Sequence, residues 1–226
     1  MAYELRHPLT NGLLRVSVAD LPDSLDYASL ISDLAFDSGW RLPNVDELEA
    51  CFFASLNGII DNFDKSDLYW SRSCELSASK AYSIHFINGV VYQQEFCVKN
   101  SVRLIQHVDE PEFNEPLMKV TIPITDLTIE VANRDFFRKM NFEEAEWECD
   151  YLGLGWRMPY LTELLEMYEN LHLRGQGNFM NGDYLSLSME TPTQFWVVNF
   201  STGEPRLVEV NQGGSYKATV RAVRGI

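Results

Sequence analysis

The side chains with the widest chemical repertoire in this 226-residue sequence are four histidines, His7, His85, His107 and His172, and four cysteines, Cys51, Cys74, Cys97 and Cys149. Metal binding or thiol redox chemistry needs such residues as CxxC pairs or Cys/His sets at ligand spacing. Neither arrangement occurs. The spacing predicts no catalytic residue, no cofactor and no metal, with surface or partly buried histidines and free, buried thiols. A Cys74–Cys97 disulfide would require neighbouring strands, which spacing does not decide. The acids Asp46, Glu47 and Glu49, and Glu163, Glu166 and Glu169, recur at helix-surface spacing and are expected on solvated faces.

Binding chemistry has more candidates. Tyr69, Trp70, Tyr82, His85 and Tyr92, then Trp196, Asn199, Arg206 and Tyr216, fall in short alternating segments. Side chains alternate faces along a strand, so about half of any such set belongs to the core. The rest would form a ligand surface, since Tyr and Trp join large apolar area to a polar handle.

Charge narrows the partner. With 18 Lys+Arg against 33 Asp+Glu the net charge is −15, which repels phosphate backbones and anionic lipid surfaces. No nucleic acid and no membrane insertion are expected, and no stretch reaches the ~18–20 continuous apolar residues of a membrane span. The start, MAYELRHPLTNG, lacks a basic region followed by an apolar run, which favours the cytoplasm or release by a non-Sec route.

What must position these residues is a repeat. Gly39-Trp40-Arg41-Leu42-Pro43 returns as Gly155-Trp156-Arg157-Met158-Pro159, and Glu47-Leu48 returns as Glu163-Leu164. Leu68 to Ser73 aligns with Asp183 to Ser188, and Ser83 to Gly89 with Val197 to Gly203. Ser101 to Ile105 and Thr219 to Val223 close the two copies, each carrying an arginine. Leu13 to Leu21 is set against Val120 to Leu127. The boundaries are 1–108 for the first module, 109–116 for an acidic, proline-bearing linker, and 117–226 for the second.

Each module is expected to be α+β. Leu13 to Val18 alternates as a strand, Ser24 to Phe36 and Asn141 to Leu152 have helical spacing, and second helices run from about Val45 to Leu56 and Leu161 to Leu171. Asn44 with Glu47 makes a capping box. Tyr160 at the equivalent position predicts a weaker or shifted start. Arg41 is expected to pair with an acid such as Glu47 in an exposed pair worth ~0–1 kcal/mol. Asn88-Gly89, Thr202-Gly203 and Gly213-Gly214 mark turns between short strands.

The run Gly-Trp-Arg-Leu-Pro, Glu-Leu, a Tyr-Trp-Ser-x-Ser strand, an aromatic strand ending in Asn-Gly and a terminal Val-Arg-x-Val-Arg resembles the DUF1566 family. That family includes the C-terminal domain of the Legionella collagen-like adhesin. The resemblance spans nearly the whole chain, twice. It implies a tandem duplication of a C-type-lectin-like module, two helices beside a twisted antiparallel set of short strands, related to formylglycine-generating enzymes and used mostly as an adhesive or binding surface. Gly39, Trp40, Arg41, Pro43 and Glu47, with Gly155, Trp156, Arg157, Pro159 and Glu163, are its structural motif. Departures are Tyr184-Leu185-Ser186-Leu187-Ser188 in place of Tyr-Trp-Ser-Ser, and the missing calcium-sugar signature, which Glu204-Pro205-Arg206 touches only superficially. The C-terminal cysteine pair of formylglycine-generating enzymes has no counterpart, because the second copy holds only Cys149.

The expected function is non-enzymatic: a binding module for protein or glycan, able to assemble into a larger complex. Two alternatives stand beside it, a structural or receptor-binding component of a phage or contractile-injection particle, and a degenerate formylglycine-generating-enzyme-like protein.

Overall fold

The computed structural model describes residues 2–33, 39–75, 78–108, 117–153, 155–209 and 216–226. The protein is mixed α+β, with small, mostly antiparallel sheets and four α-helices among those residues. It divides into two compact units, Met1–Glu115 and Pro116–Ile226. The expected linker, Leu34 to Phe36 of the first expected helix, and the Gly213-Gly214 turn lie outside the described residues.

In unit 1, β1 (Ala2–Arg6), β2 (Leu13–Ser17), β9 (Ile105–Val108) and β4 (Trp40–Arg41) form one sheet in that order. β3 (Leu25–Asp26) pairs with β8 (Lys99–Asn100), and β5 (Leu68–Glu75), β6 (Lys80–His85) and β7 (Val91–Glu95) form a meander. Helix α1 covers Tyr27–Asp33 and α2 covers Val45–Leu56. Strand alternation gives the meander two buried faces. Tyr69 and Ile84 join Leu48, Phe52, Phe63 and Phe86 on the α2 side, while Trp70 and Ala81 join Tyr27, Leu30 and Val102 on the other.

Unit 2 has β10 (Met118–Ile122), β11 (Leu127–Val131) and β15 (Val223–Gly225) in one sheet, and β12 (Asp183–Thr191), β13 (Gln194–Asn199) and β14 (Glu204–Glu209) in a second. Helix α3 covers Phe142–Asp150 and α4 covers Leu161–Asn170. Tyr184, Val198 and Phe200 pack against Leu164 and Met167 of α4.

The two units make a matching set of buried contacts. Fully buried Arg103 donates from Nε to Asp20 at 2.5 Å, from Nη1 to the Ser17 carbonyl at 3.0 Å and from Nη2 to the Asn62 carbonyl at 2.9 Å. Arg221 donates to Asp135 at 2.7 Å, to the Ala132 carbonyl at 3.1 Å and to the Gly177 carbonyl at 2.9 Å. Each aspartate also accepts a tyrosine hydroxyl, Tyr69 at 2.8 Å and Tyr184 at 2.6 Å. Each guanidinium lies over a ring, Phe63 or Phe179. A buried cation is tolerable only when its donors are filled in this way. These bonds place Ala132 where unit 1 has Ser17, so β11, not β10, is the counterpart of β2. The expected match of Leu13 to Leu21 with Val120 to Leu127 is one strand early, because β10 and β11 carry the same two-residue period and alternation alone does not distinguish them.

Tyr69 and Trp70, expected as ligand residues, are core. Trp70 donates from Nε1 to the Leu25 carbonyl at 2.8 Å and meets Tyr27 edge to face. Leu185, its counterpart, is also fully buried, so replacing the Trp removes core volume and no display surface.

Candidate functional site

The Gly-Trp-Arg turn comes first, because it orients α2 and α4. Gly39 and Gly155 both adopt φ +77°, the left-handed region that a side chain resists. Arg41 then grips Glu47 with both ends of its guanidinium, 2.6 and 2.8 Å, and Arg157 grips Glu163 at 2.7 and 2.7 Å. The same carboxylates accept the backbone N–H of Asn44 and Tyr160 at 2.8 and 2.7 Å. Ser73 and Ser188 accept the first helical N–H of each helix. Here the structure corrects one expectation. Asp46, Glu47 and Glu163 are buried, not solvated; the Glu47 and Glu163 carboxylates turn inward onto the arginine and backbone of the turn. Helix α4 starts at Leu161 without shift but with the weaker cap expected: Tyr160 offers no side-chain acceptor, and the start is held by Glu163 and Ser188, which accept the N–H groups of Tyr160 and Leu161.

Around Glu47 the structure assembles a group that spacing does not reveal. His7 Nε2 lies 3.0 Å from Glu47 Oε1, and His107 Nε2 lies 3.9 Å from the same oxygen. The two imidazole centroids are 4.9 Å apart. The histidines are therefore not isolated; β9 runs beside β2 and sets His107 opposite Leu14, while the loop after β1 folds His7 inward. The three residues could hold a metal by proximity, but their chemistry does not fit one. His7 Nδ1 accepts the N–H groups of Leu9 and Thr10 at 3.2 Å each, which assigns the hydrogen to Nε2, the nitrogen a metal would need. Glu47 already accepts two bonds from Arg41, one from Asn44 and one from His7. Burial would raise its carboxyl pKa, but Arg41 and then His7 hold it well below the usual range. His107 Nε2 is buried with no hydrogen-bond partner among the described residues. Burial, then the neighbouring His7, brings the His107 pKa down to about 4 against the opposing pull of Glu47. The cluster is an anchor for α2, with the Glu47 carboxylate engaged by Arg41, Asn44 and His7.

The two buried thiols are equally unsuited to nucleophilic work. Burial, reinforced by Glu47, pushes Cys51 up to about 12, and burial beside Glu148 raises Cys149. Cys74 is half-buried and Cys97 exposed, so the expectation of burial fails for those two.

The solvent-accessible candidates lie on the strand meanders. Around Asp183 at the start of β12, Asn199 Nδ2 of β13 donates to the carboxylate at 2.9 Å, Tyr216 Oη, outside the strands, donates to it at 2.6 Å, and Arg206 of β14 both pairs with Asp183 and donates to Tyr216 Oη at 2.9 Å. Burial opposes the Asp183 charge, but these three donors, Tyr216 first, lower its pKa. Asp183, absent from the sequence candidates, is the centre of the group. Its signal was its position: it pairs directly with Asn199, and paired residues share a face.

Unit 1 puts different side chains at these register positions. His85 pairs with Leu68 as Asn199 pairs with Asp183, and Tyr92 pairs with Ser83 as Arg206 pairs with Val197. His85 and Tyr92 stand edge to face at 6.4 Å, with Tyr92 exposed. Of the other candidates, Tyr82 packs against the α2 core. Trp196 pairs with Leu207, on the strand face opposite Asn199.

No family model matches the chain, and no curated protein does.

Proposed function

We propose that this chain is a binding protein built as a tandem duplication of a C-type-lectin-like module of the DUF1566 type, which recognises a protein or glycan through its strand meanders. The observation that carries the reading is the convergence of Asn199, Arg206 and Tyr216 on Asp183 at the accessible end of β12 to β14, a pre-ordered fork of donors and an aromatic ring. Such a group holds a polar ligand at little ordering cost, since its rotamers are already fixed. The polar residues suited to catalysis support the same reading. His7, Glu47, Arg103 and Arg221 are buried and bonded within the scaffold.

The test is capture of a partner, from a glycan array and from cell lysate, by the intact chain and by folded Arg206→Ala and Tyr92→Ala variants. One partner captured by the intact chain and lost in either variant is the expected result. Capture unaffected by both, or substrate turnover abolished by one polar substitution, would sink the proposal.

A further inference from the structure

The end of α2 in unit 1 is apolar where it meets solvent. Phe53 and Leu56, one helical turn apart, Ile59 in the turn that follows, and Ile87 and Val90 at the β6–β7 turn are each 43% to 63% exposed. The two elements are adjacent. A side chain at Gly89 would collide with the ring of Phe52, and Phe52 lies tilted against Phe53 at 5.5 Å and edge to face with Phe86 at 5.6 Å. The five side chains thus flank one seam between helix end and hairpin.

Unit 2 builds the same seam, with Gly203 against the Tyr168 ring, yet leaves it mostly polar. Counting from the helix starts at Val45 and Leu161, Phe53 and Leu56 correspond to Glu169 and His172. Counting from the turn glycines, Ile87 and Val90 correspond to Ser201 and Glu204. Leu173 is the exposed apolar residue kept there. The fold therefore does not require an apolar surface at this place, and exposed apolar patches of this kind mark interaction sites.

Charge selects the occupant. Unit 1 carries 8 Lys+Arg against 18 Asp+Glu, with Glu49 one turn before Phe53 and Asp61 two residues after Ile59. A second copy would bring its own charge of −15 and be repelled, whereas a segment with an apolar face and Lys or Arg around it matches both features. We infer that the α2 end and β6–β7 turn of unit 1 dock a cationic amphipathic segment of a partner protein. This rests on the reading of the chain as a binding protein but uses a surface distinct from the strand-face cluster.

The probe is a labelled peptide of two Leu-Lys-Lys-Leu-Leu-Lys-Leu heptads, titrated by fluorescence anisotropy into the intact chain. The comparison is the Phe53→Glu/Leu56→His/Ile87→Ser variant, which installs side chains unit 2 already carries. Binding is expected to weaken at least about tenfold in the variant, and a scrambled peptide of equal charge should bind at least about tenfold more weakly to the intact chain. Equal affinity for the variant, equal affinity for the scramble, or no binding to the intact chain overturns the inference. A dimer of the intact chain in sedimentation, dispersed by the same substitutions, overturns the choice of occupant. Peptide binding unaffected by Tyr92→Ala and Arg206→Ala keeps this result separate from the fate of the strand-face proposal.

Discussion

Units 1 and 2 agree inside and differ outside. Both bury an arginine on two carbonyls and an aspartate that also accepts a tyrosine hydroxyl, and both clamp a helix start with an Arg-Glu fork. At matching surface positions unit 1 has His85, Tyr92, Phe53 and Ile87, and unit 2 has Asn199, Arg206, Glu169 and Ser201. Unit 1 alone adds a histidine pair beneath its clamp. The buried contacts hold the backbone, so the surfaces can carry different ligand chemistry without cost to the frame.

The largest expected effect comes from breaking that frame. Arg221→Met leaves Asp135 buried with one donor fewer and should cost about 3–5 kcal/mol in denaturant unfolding. Arg103→Met should cost less, because the Asp20 side chain is 26% exposed whereas Asp135 is 6% exposed, and water can replace the lost partner. Equal losses would mean that the two arginine centres are energetically alike despite that difference.

Acid should separate the units next. The His107 pKa lies at about 4 in the folded chain against an ordinary 6.5, so between those values the unfolded chain takes up a proton that the native one refuses. Stability is full above about 6.5, falls as pH drops toward 4, and loses on the order of 3 kcal/mol in all. Glu47, whose folded pKa is depressed, adds a further loss as pH falls through and below the ordinary carboxyl range. Hydrogen exchange resolved by unit should show unit 1 loosening first, and His107→Phe should flatten the slope between pH 6.5 and 4. A slope unchanged by that substitution would remove His107 as its source.

Smaller again is the contrast between the clamps. Glu47→Gln should cost about 1–2 kcal/mol more than Glu163→Gln, because Glu47 also serves His7. Smallest is Arg206→Ala, within about 0.5 kcal/mol in stability since Arg206 is half exposed, yet decisive for ligand.

Much of the frame was legible in the sequence. Gly-Trp-Arg-Leu-Pro with Glu-Leu at a fixed offset names the clamp, and Asn44 with Glu47 names the cap, because both are local and built from residues with few alternative uses. Burial was harder. Trp70 was expected at the surface because alternation says which residues share a face but not which faces are covered, and here helices or loops cover both. The Glu47 histidines and Asp183 escaped for another reason: each meets its partners only in the folded chain, His7 reaching Glu47 across 40 residues from the loop after β1 and Asp183 meeting Asn199 across 16 by strand pairing.

The most direct measurement is hydrogen exchange by mass spectrometry on the intact chain with and without its captured ligand. The account predicts new protection in residues 80–95 or 194–209, or in both, at the strands that carry His85, Tyr92, Asn199 and Arg206. Protection confined to other segments, with those strands unchanged, would contradict it.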